Sequence, residues 1–202
     1  MGLTGGLASG KSEATSIFSA LGATVIDADE TGRRLTTNGG SALPALRHTL
    51  GAWAFDNTGN LRRHEVRQRV FSDLAMRTAL QKTLHPLIEK DMRRQMAAVD
   101  SSYYLILSVP LLFETDMFTA DCHRVAVTDC EPTTQIARAC RRDKISELEA
   151  KSIIATQLPR GERLARADDI IHNDADLAAL RQAVENCHHQ YIKIAPKERI
   201  PT

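Results

Sequence analysis

The sequence has no apolar run approaching the ~18 residues that a membrane-spanning helix requires. It also has almost no net charge, +1 at pH 7, and only 4% aromatic residues. A near-neutral chain has no overall field that would attract nucleic acid or an anionic bilayer. We therefore expect neither a membrane protein nor a nucleic-acid-binding one.

Cysteine is scarce and unpatterned. The four cysteines, Cys122, Cys130, Cys140 and Cys187, show no C-x-x-C spacing, so a zinc site or a disulfide framework is a weak interpretation. No signal peptide is recognised before them. Free thiols in a reducing compartment are the better interpretation, which predicts a cytoplasmic protein.

The strongest positive signal is the run Gly5-Gly6-Leu7-Ala8-Ser9-Gly10-Lys11-Ser12, which fits the pattern G-x-x-x-x-G-K-[ST]. Such a loop wraps the phosphates of a nucleoside triphosphate with backbone N–H groups, and its lysine brings positive charge to the β- and γ-phosphates. The hydroxyl of Ser12 is the predicted Mg²⁺ ligand. The predicted ATP contacts in this region are Ala8, Ser9, Gly10, Lys11, Ser12 and Glu13.

The apolar pattern predicts an α/β fold. Short strand-like runs alternate with helical patterns, which is typical of a parallel sheet with helices on both faces. The runs lie at residues 1–4, 24–26, 103–109, 125–127 and 170–171. Helices are predicted at Glu13 to Leu21, from Pro132 onward, after the Ser146–Glu149 capping box, and at Leu177 to Ile194.

Residues 33–100 contain no strand-like run, and their apolar residues recur at helical spacing. We expect a helical insertion there, punctuated by Gly51, a turn at residues 56–60 and Pro86. The expected organisation is a single domain with a core of residues 1–32, 101–132 and 167–202, the insertion at about 33–100 and a helical lid at about 133–166. Residues 197–202 are expected to fray.

Asp27 and Asp29 follow the second strand-like run. On an extended strand, residues two apart project to one side, so both carboxylates are candidates to face a crevice at the carboxyl end of the strand. An acid there can orient or deprotonate an acceptor hydroxyl, or hold Mg²⁺ through water. Capping of the following helix is the alternative role. It is favoured for Asp27, whereas a catalytic role is favoured for Asp29.

The strand at residues 103–109 does not end in the aspartate that ATPases and GTPases use for Mg²⁺, although the run ending in Asp129 resembles such a strand. No Asn-Lys-x-Asp guanine-recognition motif is present. These features disfavour a switch GTPase and favour a small-molecule kinase.

Arginines are concentrated in the second helical stretch. Arg138 and Arg142 are four residues apart on one predicted helix face, and Arg160, Arg163 and Arg166 follow the next helix. A mobile lid bearing arginines would stabilise transition-state charge and exclude water. The alternative is a solvated helix with weak ion pairs such as Arg142–Asp143.

Several further segments occur in a characteristic order. They are Gly2-Leu3-Thr4-Gly5-Gly6, Val25-Ile26-Asp27-Ala28-Asp29, Gly59-x-Leu61-x-Arg63, Val70-Phe71, Leu84-His85-Pro86-Leu87-Ile88, Pro110-Leu111-Leu112-Phe113-Glu114, Arg138 with Arg142-Asp143 and Gln157, and Ala167-Asp168-Asp169-Ile170-Ile171-x-Asn173. Together they resemble the dephospho-coenzyme A kinase family over nearly the whole chain. Ala8 and Glu13 depart from the family pattern, in which glycine and threonine are common at these positions.

The resemblance implies a three-layer P-loop NTPase-type sheet with an inserted helical substrate subdomain and a helical lid. It implies transfer of the γ-phosphoryl group of Mg·ATP to the ribose 3′-hydroxyl of dephospho-coenzyme A. Asp29 is implied as the base, with Lys11 and Arg142 steadying charge. A nucleoside or nucleotide kinase shares the loop and the lid and is the alternative enzyme, and an ATP-driven switch module is a further alternative.

The resemblance also implies which residues bind ATP and which bind the acceptor. It implies that Arg138, Arg142 and Asn173 bind ATP, and that the acceptor is bound by Asp29, Arg63, His85, Pro110, Leu111 and Glu114. The implied partners are small molecules only, and the expected state is a monomer or a weak homo-oligomer.

Overall fold

The computed structural model describes residues 1–100 and 103–195, except the side chains of residues 71 and 72. The chain divides into two compact units, one of residues Met1–Ile26 with Val99–Thr202 and one of residues Asp27–Ala98. The predicted fraying of residues 197–202 and the side chain of Phe71 lie outside the described residues.

The first unit is built on a five-stranded sheet. Its strands are β1 (Gly2–Gly5), β2 (Thr24–Asp27), β3 (Leu105–Ser108), β4 (Val125–Asp129) and β5 (Asp169–His172), in the order β2-β3-β1-β4-β5. β1 pairs in parallel with both β3 and β4, and β4 pairs in parallel with β5. Each strand was predicted from its apolar run. Because the strands are parallel, their carboxyl ends share one edge of the sheet.

The helices of the described chain begin and end as follows. They are α1 (Lys11–Ala20), α2 (Ala28–Leu35), α3 (Leu43–Leu50), α4 (Arg63–Ser72), α5 (Leu74–Ala97), α6 (Leu112–Thr115), α7 (Pro132–Asp143), α8 (Glu147–Ala155), α9 (Arg160–Ala165) and α10 (Leu177–Ile194). The predicted start of α7 at Pro132 and the capping box at Ser146 are confirmed. No helix in the described part of the chain has the length and apolar character needed to cross a bilayer.

One face of the sheet is covered by α1 and α10. Leu3 of β1 is buried with Phe18 of α1 and Tyr191 of α10 in a single apolar cluster, and the rings of Phe18 and Tyr191 stack at 6.0 Å. Burying side chains of this size stabilises the fold by about 1.5–3 kcal/mol each. The Tyr191 hydroxyl donates to Asp169 at 2.9 Å, and burial raises the pKa of Tyr191, so the hydroxyl keeps its proton.

The second unit consists of α-helices joined by turns, together with a short 3-10 helix at Ala52–Ala54 and one isolated bridge. Its apolar cluster includes Leu35, Leu46 and Val66. The buried carboxylate of Asp91 on α5 accepts hydrogen bonds from Arg34 of α2 and from Arg94. Burial raises the pKa of Asp91, but the hydrogen bond from Arg34 and the charges of both arginines lower it overall, so the carboxylate stays ionised.

The prediction that Pro86 interrupts the insertion is wrong, because α5 runs through it from Leu74 to Ala97. Proline removes one intrahelical hydrogen bond, but α5 packs along α2, α3 and α4, and this packing supports the helix across the missing bond. The other two predicted breaks are confirmed. Gly51 ends α3 with a positive φ of 85°, and the Asp56 carboxylate closes the turn by accepting from the Thr58 and Asn60 N–H groups.

Candidate functional site

The predicted phosphate loop joins β1 to α1 at the carboxyl edge of the sheet. Gly10 is the N-cap of α1, with φ 100° and ψ 14°, a left-handed conformation that favours glycine. A Cβ on Gly10 would lie 2.0 Å from the Asn173 amide nitrogen. No side chain caps the helix, so the positive end of α1 is left for an anion.

Lys11 is held at the same edge. Its side chain is buried, and its Nζ donates to the Ser108 Oγ, at the end of β3, at 2.8 Å. Thr15 of α1 also contacts the Ser108 Oγ, at 3.3 Å. A lysine anchored in this way keeps its charge close to the loop. Ser12 and Glu13 follow at the exposed start of α1.

The loop backbone is fixed from outside at Ser9. The Asn173 Nδ2, just after β5, donates to the Ser9 carbonyl oxygen at 2.8 Å. The Ser9 Oγ pairs with the Thr128 Oγ1 of β4 at 2.8 Å, and the Ser9 N–H donates to the Gly6 carbonyl. Ala8 has a φ of 52°, a left-handed conformation that is strained for alanine. Glycine at the same position in the family pattern avoids that strain.

The two leading glycines leave room for neighbouring groups. A Cβ on Gly5 would lie 2.1 Å from the Thr128 Oγ1 and 2.7 Å from the Thr128 backbone oxygen. A Cβ on Gly6 would lie 2.7 Å from the Gln135 Nε2 and 2.9 Å from an Arg163 Nη atom. The first turn of the loop is thus packed against β4, α7 and α9.

Residues 157–160 make a second set of contacts with this site. The Leu7 N–H donates to the Gln157 side chain at 2.9 Å. The Leu158 N–H donates to Glu114 at 2.8 Å. Arg160 binds both carboxylate oxygens of Asp129, at 2.8 to 3.2 Å. The Asp129 carboxylate is 1% exposed. Its role at the end of β4 is therefore to hold α9, and the resemblance of this run to a Mg²⁺-binding strand end does not describe its contacts.

The lid arginines of α7 have different surroundings. Arg138 donates to the Asn173 backbone oxygen at 2.8 Å, which places it beside the phosphate loop. Arg142 is exposed and binds the neighbouring Asp143 carboxylate at 2.8 and 3.0 Å. Arg142 therefore makes the ion pair that we set out as the alternative to a lid.

The residues of the first unit that were predicted to bind the acceptor lie just after β3 and in α6. The Pro110 carbonyl accepts from the Thr4 hydroxyl at 3.1 Å, Leu111 precedes α6, and Glu114 is in its first turn. Glu114 is exposed and already binds the Leu158 N–H.

Asp27 and Asp29 have separate roles within the second unit. The Asp27 carboxylate accepts from the Glu30 N–H at 2.9 Å and is the N-cap of α2, which confirms the capping interpretation. The argument that Asp29 shares a strand face with Asp27 is wrong, because the strand ends at Asp27 and Ala28 already begins α2. Asp29 is an exposed residue of the first helical turn.

The second unit contains a cavity of about 400 Å³. Apolar and cationic side chains share its lining, which consists of Gly32, Thr36, Leu61, Arg63, Val66, Arg67, Val70, Arg77, Leu80 and Leu84. Arg63 also donates to the Arg33 carbonyl and the Thr36 hydroxyl. His85 is half-buried on α5 and does not line the cavity, and burial lowers its pKa. The cavity therefore offers both apolar surface and positively charged groups to a ligand.

Comparison with known proteins identifies the relatives of this chain. The sequence model of the dephospho-CoA kinase family matches residues 1–179. The dephospho-CoA kinase of Nitrosospira multiformis is 43% identical over 195 residues, which are 96% of this chain and 97% of that protein. The chain belongs to the dephospho-CoA kinase family.

Solved structures share the fold of this chain. A Thermus thermophilus protein superposes with a TM-score of 0.76 at 25% identity, covering 94% of this chain and 95% of that one. The dephospho-CoA kinase from Campylobacter jejuni superposes at 0.67 and 24% identity, covering 95% and 96%. The predicted P-loop kinase fold, a parallel sheet flanked by helices, is confirmed, and the dephospho-CoA kinase interpretation is favoured over the alternatives.

The site suits a Mg²⁺–nucleotide complex of the type that this family implies. The exposed Ser12 hydroxyl, one residue after Lys11, is an oxygen donor at the positive end of α1. Mg²⁺ usually takes few protein ligands and several phosphate or water oxygens. In this structure the Asp129 carboxylate is paired with Arg160 through both oxygens.

Some residues of the site were not predicted. They are Ser108, Thr128 and Gln135, which contact the loop or its lysine from three different elements. Each is far from the loop in sequence and belongs to no local motif. The one available signal was Gly6, whose lack of a side chain indicates that another group approaches the backbone there.

Gly5→Ala is expected to destabilise the protein by about 2 kcal/mol or more, because the new Cβ meets backbone and side-chain atoms of β4 that cannot move away. Gly161→Ala is the matched control. A Cβ there meets nothing within 4 Å, so helix propensity should raise stability by up to about 1 kcal/mol. Urea unfolding of both variants measures the difference. Equal stabilities would contradict the packing described for the loop.

Proposed function

We propose that this protein transfers the γ-phosphoryl group of Mg·ATP to the 3′-hydroxyl of the ribose of dephospho-CoA, giving CoA and ADP. The observation that supports this most strongly is the phosphate loop itself. Its glycine-capped helix start and its lysine, anchored to Ser108, bring positive charge to the carboxyl edge of the sheet, where phosphate groups would bind. The family assignment then specifies the acceptor.

The nucleotide is proposed to bind along residues Ala8 to Glu13. Lys11 steadies charge on the transferred phosphoryl group, and Ser12 is a ligand of the Mg²⁺ that ATP brings with it. Bound Mg²⁺ neutralises phosphate charge in the transition state. Asn173 holds the loop in place through its hydrogen bond to Ser9, and Arg138 holds the backbone of Asn173 in turn.

Asp29 is proposed as the residue that orients or deprotonates the acceptor hydroxyl. Asp27 already caps α2, so the helix does not need the Asp29 carboxylate for that task. Its exposure in the first turn of α2 leaves it accessible to a substrate. A carboxylate that contacts the attacking hydroxyl is the usual base of alcohol phosphorylation.

The acceptor is proposed to occupy the cavity of the second unit. Dephospho-CoA combines a long pantetheine arm with a diphosphate, and the cavity combines leucine and valine side chains with Arg63, Arg67 and Arg77. Arginine is suited to bidentate phosphate contacts. His85, Pro110, Leu111 and Glu114 remain proposed acceptor contacts on the resemblance alone.

The lid is a separate proposal. Residues 133–166 are proposed to move over the nucleotide, with Arg142 exchanging its Asp143 partner for phosphate oxygens. We also propose that the helical insertion at about 33–100 binds the acceptor. The proposed core consists of residues 1–32, 101–132 and 167–202. A cytoplasmic location and a monomer or weak homo-oligomer also remain predictions.

An acceptor panel tests the function directly. ADP release is measured with ATP and with dephospho-CoA, adenosine, AMP or no acceptor. We expect turnover with dephospho-CoA and only background release in the other mixtures, because the cavity offers apolar surface that a nucleotide alone does not use. Turnover on AMP or adenosine without turnover on dephospho-CoA would support a nucleoside or nucleotide kinase instead. ATP hydrolysis without any acceptor would support a switch.

Asp29→Asn is expected to lower kcat by roughly 10²–10⁴-fold, the usual contribution of a positioned base. ATP affinity should be nearly unchanged. Asp27→Ala is the control two residues away, and it should cost about 1 kcal/mol of stability through the lost helix cap. Steady-state kinetics and thermal unfolding separate the two effects. Full turnover by Asp29→Asn would exclude it as the base.

Arg77→Ala is expected to raise the KM for dephospho-CoA by about tenfold while leaving the KM for ATP unchanged, because Arg77 lines the cavity. Arg93→Ala, on the same helix but bound to Glu89 at 2.9 Å, is the charge-matched control. Initial rates at varied concentrations of each substrate make the comparison. An equal change in both KM values would argue against acceptor binding in this cavity.

A further inference from the structure

Arg163 differs from the other arginines near the phosphate loop. It lies on α9, outside the run of loop residues, and it is only 4% exposed. Its Nε is buried and has no hydrogen-bond partner among residues 1–100 and 103–195. Buried guanidinium groups are nearly always paired, because removing their charge from water is costly. An unpaired one in a folded protein therefore indicates a missing partner.

The nearest carboxylates do not supply that partner. Asp129 and Glu114 are the acidic groups whose charges reach Arg163. Asp129 is bound on both oxygens by Arg160, and Glu114 accepts the Leu158 N–H. Burial lowers the pKa of Arg163, with the two carboxylates only partly opposing that effect. The positive charge is thus under-compensated in the protein without ligand.

The position of Arg163 shows which partner it would meet. An ideal Cβ on Gly6 would lie 2.9 Å from one of its Nη atoms and 3.3 Å from its Cζ. The guanidinium therefore lies against the first turn of the phosphate loop, whereas Lys11 is anchored to Ser108 at the end of β3. The loop has a fixed cation from each of two elements, and only the lysine belongs to the sequence motif.

We propose that Arg163 is an anion-binding residue of the phosphate loop, a second fixed cation whose charge is compensated by the polyphosphate bound there. This inference rests on the proposed ATP site and adds a residue to it. Arg163 lies within residues 133–166, but unlike Arg142 it is already packed against Gly6 in this structure. A polyphosphate supplies the oxygen acceptors that the guanidinium lacks within the fold.

Replacing an anion-binding Arg163 and replacing a purely structural one would change the stability of the protein in opposite directions. An under-compensated buried charge destabilises the empty protein, and a well-packed apolar replacement relieves that cost. Arg163→Met is therefore expected to bind polyphosphate more weakly and yet to unfold, without ligand, at the same temperature as the wild type or higher. A residue needed only for structure would lower the unfolding temperature when replaced.

Calorimetric titration with ATP and with inorganic tripolyphosphate tests the inference on the full-length protein. Arg163→Met should lose about tenfold or more in affinity for both, the usual effect of removing a hydrogen bond to a charged group. Arg163→Lys, which keeps the charge, should recover part of that loss. Arg181→Met, an exposed arginine on α10, is the control and should match the wild type.

Failure of the Arg163 role and failure of the proposed function give different results. Wild-type affinity in Arg163→Met, or an unfolding temperature well below that of the wild type, overturns the role of Arg163. Recovery in Arg163→Lys no greater than in Arg163→Met also overturns it. Failure of the wild type itself to bind ATP would instead contradict the proposed function. Tripolyphosphate binding that depends on Arg163 would still support the anion site.

Discussion

The hydrogen bond from Asn173 to the Ser9 carbonyl is the interaction on which the rest of the site depends. A loop that presents successive N–H groups to an anion must turn its carbonyl oxygens away, and each of those oxygens needs a donor elsewhere. Asn173 supplies one from the end of β5, and Arg138 holds the Asn173 backbone in turn. The parallel sheet matters for function because it brings the ends of β1, β4 and β5 to one edge, where these contacts become possible.

The segment from Gln157 to Arg166 links that loop to the region after β3. Gln157 accepts from Leu7 of the loop, and Leu158 donates to Glu114. Arg166 donates to the Phe113 carbonyl and covers the Phe113 ring at 4.4 Å. A change in the loop therefore reaches residues 113–114 through one short, hydrogen-bonded segment. This segment therefore ties the phosphate loop to the start of α6 within the first unit.

Sequence reasoning predicted the local parts of this structure and missed the distant ones. Strands, the capping box at Ser146 and the glycine at the start of α1 depend on neighbouring residues, and each was found. Pro86 and Asp29 were misjudged because packing along α5 and the early start of α2 override local rules. Thr128 and Gln135 reach the loop only through the fold, so no spacing in one sequence reveals them, and Arg163 was expected only as one of the lid arginines.

Arg160 and Arg163 lie on the same helix near the loop but differ in their contacts. Arg160, whose side chain is 32% exposed, pairs with the buried Asp129 carboxylate and fixes α9 to the end of β4. Arg163, one helical turn further on, is given no such partner although the same carboxylate is nearby. If Arg163 served only the fold, an apolar side chain would fill the space against Gly6 at lower cost. A ligand that binds the folded protein also stabilises it. A cation at this position is explained when a ligand bound at the loop supplies part of its stabilisation.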